Sequence, residues 1–305
     1  MGKQPPEDDR VARLRESLLK GDLGSASEIL NRSTGERMFS APDPQAPLAP
    51  AGAGLADLWP GRESDPELAQ GAPSCWRAEP DVSEIVPETP EVVGFLRSVL
   101  KGCGERLNEL AASPGLCHLS QADPRGVVFC RLVSLPGREG PRVVAGVLRL
   151  GQQGGQVVQY VARNEEEEAA VLVSVLAEME TAEVWVTFGD RNDRWAKVMA
   201  RAKALGLEQP WSTPRVAEIR ADCRHVWKDE LRQFGMRSLE RLGLGRDRRG
   251  GYPPAVLPRV YRRFAETGDA RAMVKLLRRN VMDLVCLVEL AGYLLTGRGP
   301  VCEMM

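Results

Sequence analysis

A chain of 305 residues with 43% apolar content and a formal net charge of −1 is long enough for one large domain or two ordinary ones, and its composition excludes a wholly disordered polymer. Its seven cysteines never form a C-x-x-C pair and its only histidines are His118 and His225, which argues against a zinc site. MGKQPPEDDR at the start has no apolar signal core, and the apolar run near the end is interrupted by Arg278, Arg279, Asp283 and Glu289; the expectation is no membrane span and a reduced, cytoplasmic setting.

The charge is unevenly spread. Residues 1–90 carry 16 acids against 9 bases, whereas residues 214–280 carry 17 Lys and Arg against 8 acids. A basic surplus of that size points to an anionic partner such as nucleic acid, and a solvated arginine-rich surface accounts for it equally well.

In chain order, residues 8–30 set Val11, Leu14, Leu18 and Leu19 at helical spacing before Gly21 and Gly24 break the run, which predicts a short helical appendage over 1–35. Between 42 and 90 there are ten prolines in 49 residues and almost no periodicity. Residues 36–90 are therefore expected to form a Pro/Ala/Gly-rich disordered linker that buries no core, with Trp59 and Trp76 as exceptions that dock on the folded part. The folded domain is expected over 91–300. It opens with a helical pattern through Val92, Phe95, Leu96, Val99 and Leu100. Three strand-like runs follow at 127–135 (VVFCRLVSL), 142–150 (RVVAGVLRL) and 156–161 (QVVQYV), joined by short glycine-bearing connections that make an antiparallel meander. Asn164 with Glu167 predicts a capped helix, 183–188 (EVWVTF) a fourth strand, 194–205 a helix stopped by Gly206, and 215–220 a fifth strand. A meander followed by strand-helix alternation implies an α/β domain with a mixed five-stranded sheet and flanking helices.

The last long run, 270–295, is apolar around most of a helix and carries Asp283 in its middle. A carboxylate there needs a hydrogen bond, an arginine, a metal or an open cleft, because burial without a partner costs several kcal/mol.

MRSLERLGLG (236–245), YPPAVLPRVYRRFAETGDA (252–270), RRNVMDLVCLVEL (278–290) and WVTFGDRNDRWAKVMARA (185–202) together resemble the YprB-like ribonuclease H-like family, over about two thirds of the chain. The resemblance implies a ribonuclease H-like fold and the exonuclease-like chemistry of that superfamily, in which carboxylates hold two divalent ions, Mg or Mn, about 4 Å apart. It also implies that this chain departs from the pattern. The Asp-x-Glu of the first strand is matched to Cys130 and Leu132, neither of which suits a hard cation. The loop aspartate falls on Arg194, with Asp193 and Asp190 nearby, and the fifth-strand acid falls on Arg220, with Asp222 two residues later. Arg278 and Arg279 stand where related exonucleases carry a histidine or tyrosine base. Asp283, with Asn280, stands where the motif expects it.

The expectation is a degenerate, exonuclease-like domain with no cofactor that binds single-stranded DNA or RNA, or a protein partner, with Arg191, Arg194, Arg220, Arg278, Arg279 and Asn280 meeting phosphates. Asp283 then survives as a remnant acid paired with Arg194, Arg220 or Arg279. One alternative is an active Mg- or Mn-dependent 3'-5' exonuclease or other nuclease rebuilt from Asp190, Asp193, Asp222 and Asp283. Another is a structural interaction protein that recruits a protein partner through residues 1–90. No G-x-x-x-x-G-K phosphate loop competes with these readings, and no motif places a histidine beside Cys130.

Overall fold

A computed structural model describes residues 52–65, 73–102, 113–136, 140–152, 154–189, 195–207, 211, 214–229, 231–244 and 256–296. The helical appendage expected over 1–35 lies outside these residues.

Seven strands form one sheet in the order β1-β2-β5-β4-β3-β6-β7. They are β1 (Gly61–Glu63), β2 (Trp76–Ala78), β3 (Val127–Ser134), β4 (Arg142–Leu150), β5 (Gly155–Val161), β6 (Val184–Thr187) and β7 (Arg215–Glu218). β3, β4 and β5 are the predicted antiparallel meander, with Arg131 opposite Gly146 and Gly146 opposite Gln159. β6 runs parallel to β3, and β7 parallel to β6. All five predicted strands are therefore present, and β1 and β2 extend the sheet beyond β5.

Those two added strands correct the expected linker. Among the described residues of 36–90, α1 (Leu55–Leu58), β1, β2 and α2 (Val82–Ile85) belong to the domain, and Trp59, Cys75, Ala78, Val82 and Val86 are buried. Trp59 and Trp76 dock as expected, with the Trp76 indole donating to the Trp59 carbonyl at 3.1 Å. The composition misleads because each piece is only three or four residues long. A strand of three residues has no readable alternation, and its apolar side chains pack on a sheet already built.

Helices cover both faces of the sheet. On one face lie α3 (Thr89–Gly102), α4 (Pro114–Gln121), α7 (Ile219–Val226), α8 (Leu257–Thr267) and the long α9 (Arg271–Thr296), packed on Phe129, Val144, Leu148 and Val186. On the other lie α5 (Glu168–Glu180) and α6 (Trp195–Ala204), packed on Val128, Cys130, Leu132, Ala145, Val147 and Trp185. Ser113 caps α4 by accepting from the Leu116 amide at 3.2 Å. Asn164 caps a 3₁₀ turn (Glu165–Glu167) ahead of α5, accepting from the Glu166 amide. Glu167 turns instead to Arg163. Among the described residues, no helix is long and apolar enough to cross a membrane.

Candidate functional site

The strand order changes direction at β3. The meander grows from β3 toward one edge, and the crossovers through α5 and α6 carry the chain to β6 and β7 on the other side. In open α/β sheets such a switch point opens a crevice beyond the carboxyl ends of the parallel strands. Cys130, Thr187 and Glu218 are in register across β3, β6 and β7, so Arg131 and Phe188 come next at that end. Beyond Phe188 the chain turns at Gly189, whose φ of +74° lies in the left-handed region, and the Gly189 amide donates to Thr187 Oγ1 at 3.2 Å.

α9 crosses the row formed by Arg131, Gly146 and Gln159. It comes close because residue 146 has no side chain: a Cβ there would lie 2.0 Å from Asn280 Oδ1. Asn280 uses the proximity, donating Nδ2 to the Arg131 carbonyl at 3.1 Å and accepting from Gln159 Nε2 at 2.8 Å. Gln159 also donates to the Leu277 carbonyl, and its Oε1 accepts from the Trp59 indole at 3.0 Å. The buried amides thus satisfy one another and fix the height of α9 over the sheet.

Nearly one turn after Asn280, Asp283 reaches the Arg131 guanidinium at 3.9 Å. Both side chains are almost covered, at 13% and 12% exposure, so the pair closes the floor of the crevice. Arg131 lies over the Phe188 ring at 5.4 Å, and Arg220 lies over the same ring at 6.0 Å. Arg220 Nε donates to the Phe234 carbonyl at 2.9 Å, and the Arg224 guanidinium sits 5.9 Å above the Phe234 ring. Arginine and phenylalanine therefore alternate from the floor outward: Arg131, Phe188, Arg220, Phe234, Arg224.

This geometry corrects several expectations. Cys130 and Leu132 point to the face under α5, away from Asp283, because successive strand residues alternate faces. Arg131 occupies the strand position that looks toward Asp283 and is an arginine partner beyond the expected Arg194, Arg220 and Arg279. Asn280 is 2% exposed and engaged in the core, so it meets no phosphate. Asp222 is buried and bonded to Ser113 at the start of α4; it is two residues from Arg220, on the opposite side of α7. Burial pushes its carboxyl up from the ordinary value, against the lowering effect of the Ser113 hydroxyl and of His225. Of the expected basic contacts, Arg278 is exposed, while Arg279 and Arg220 are half-buried. Asp190, Arg191, Asp193 and Arg194 lie outside the described residues. Arg131, Phe188, Arg224 and Phe234 were missed. The signal for Arg131 was its being the one charged residue in β3.

A pair of hard divalent cations needs several convergent carboxylates. Here the described crevice presents Asp283 with a guanidinium against it. Among the described residues, no group of three or more His, Cys, Asp or Glu side chains is placed to hold a metal ion. Among the described residues, the donor set therefore does not fit a two-metal centre. What it offers is planar, permanently charged forks suited to phosphate oxygens.

Comparison with protein families matches residues 134–295, more than half of the chain, to the RNase_H_2 model of the RNase H superfamily. The matched span runs from the last residue of β3 into the final turn of α9. No curated protein matches the chain.

Proposed function

The chain belongs to the RNase H superfamily, and on that premise we propose that it is a YprB-like member that has exchanged the two-metal site for arginine and binds nucleic acid without cutting it. The observation that carries this reading is Arg131, the β3 residue just past the end of the pairing with β6, 3.9 Å from Asp283. A phosphodiester entering the crevice meets the guanidinium of Arg131, held in place by the Phe188 ring and Asp283, with Arg220 over the same ring. A cation of the protein's own thereby serves the phosphate, and attraction needs no added metal. The same cation repels Mg or Mn from the Asp283 carboxylate.

The test is made on the whole chain with labelled single-stranded RNA and DNA. Both strands stay intact through incubation with Mg or Mn, and both bind equally well in excess chelator. Arg131→Gln weakens binding about 10-fold and lowers the slope of log affinity against log salt by about 0.7. Metal-dependent cleavage that disappears in Asp283→Asn overturns the reading in favour of a rebuilt nuclease site. Absence of affinity for either strand at low salt overturns the nucleic-acid half and leaves a protein partner.

A further inference from the structure

The chain that leaves the crevice sorts its charges. Between 219 and 244, Asp222 and Glu240 are buried, at 4% and 3% exposure, while Arg224, Lys228, Arg232, Arg237 and Arg241 are exposed. Asp229 is the exposed acid among the described residues of this stretch. Burying carboxylates is costly, so this segregation is not the default for a solvated surface, where acids and bases intermix. It is built into the backbone. The turn of π-helix at Leu239–Gly243 follows the short helix Met236–Ser238 and places Glu240 inward with Arg241 outward, and such π turns recur at functional positions.

At the inner end of this segment the Arg220 guanidinium is half-buried, tied to the Phe234 carbonyl. One helical turn on, Arg224 is exposed and lies over the half-buried Phe234 ring. A guanidinium laid on an aromatic ring is a preformed, charged plane on which an unpaired base can stack, and the bases of a duplex offer no free face to it.

We infer that residues 219–229 and 231–244 form the surface that carries a single strand of RNA or DNA out of the crevice, with one base stacked on Arg224 over Phe234 and the phosphates that follow neutralised by Lys228, Arg232, Arg237 and Arg241. This rests on the nucleic-acid reading above and adds the path of the strand and the residue on which a base stacks. The strand enters at Arg131 and runs along α7 and the turns after it. Asp222 and Glu240, which would repel it, are turned inward, and Asp229 is the described acid that stays at the surface.

The test uses the whole chain and fluorescence anisotropy with single-stranded RNA, single-stranded DNA and a hairpin duplex, each of about 15 nucleotides. Wild type, Arg131→Gln, Arg224→Ala and the triple variant Arg232→Gln, Arg237→Gln, Arg241→Gln are compared, with circular dichroism melting as the check on folding. These last four arginines are exposed, so their variants are expected to melt as wild type does. Single strands bind at least about 10-fold tighter than the hairpin. Arg224→Ala loses about 5- to 100-fold on single strands and little on the hairpin. The triple variant lowers the salt slope by about 2. The path is overturned if Arg131→Gln weakens binding while Arg224→Ala and the triple variant bind as wild type does. The strandedness is overturned if the hairpin binds as tightly as the single strands. Failure of every oligonucleotide to bind wild type overturns the underlying reading as well. The RNA and DNA arms, compared in wild type, read which sugar is preferred.

Discussion

On one face of β3, Cys130 and Leu132 lie under α5 among Val128, Ala145, Val147 and Leu172; on the other, Arg131 shares a row with Gly146 and Gln159 and looks toward Asp283. One strand thus presents a dry face and a polar one, and a shift of one residue exchanges them. The dry face reads as packing alone. The polar face combines a buried amide network with the covered ion pair at the crevice floor. The lesson is that a strand position must be assigned its face before a role is given to it: by residue type Cys130 and Leu132 draw the eye, but the β3 residue that faces Asp283 is Arg131.

The largest test of that contrast is one substitution on each side. Cys130→Asp puts an acid into the apolar layer under α5 and is expected to cost about 4 kcal/mol in urea unfolding, whereas Arg131→Gln at the crevice costs about 1. Equal costs at the two positions would mean that the faces are not distinct. Next in size is Gly146→Ala. Its Cβ would meet Asn280 Oδ1 and, at 2.9 Å, Leu284 Cδ1, so α9 must lift and the amide network part, for about 3 kcal/mol. A melting curve unchanged from wild type would show that α9 does not rest on that strand.

The smallest effect lies behind the crevice, at Asp222. Its folded carboxyl titrates above the unfolded value of about 3.9, chiefly because it is buried, so the native state holds the extra proton. Its stabilising effect is therefore full below the unfolded value and is lost as pH rises through the folded one. Asp222→Asn is expected to melt about 2 °C above wild type at pH 7, with the gap closing as pH falls toward 4. A gap that widens on acidification would mean that the charged form is the favoured one.

Much of the architecture was legible because each signal was strong and local. VVFCRLVSL, RVVAGVLRL and QVVQYV are apolar runs separated by glycine and proline, and EVWVTF ends at a glycine that does turn the chain. Asp283 was legible as an acid without a place in an apolar helix. What stayed hidden depends on contacts far apart in sequence. Nothing local announces that Trp59 donates to Gln159, or that Gly146 is small in order to admit Asn280. Arg131 was within reach, since alternation along β3 assigns it the face opposite Cys130.

The line of bonds from Trp59 through Gln159 to Asn280 also bears on how the molecule assembles. It joins side chains 100 and then 121 residues apart, and the Ala270 amide, just ahead of α9, donates to the Ala53 carbonyl at 3.0 Å. Contacts of such separation require large loops to close before they return any energy, which slows folding. During synthesis the meander is complete before α9 leaves the ribosome, and until then Gln159 Nε2 lacks the Leu277 and Asn280 oxygens to which it donates in the folded domain. The domain therefore closes as a ring, its earliest described segment clasping its latest, and a nascent chain stopped short of residue 280 lacks the clasp.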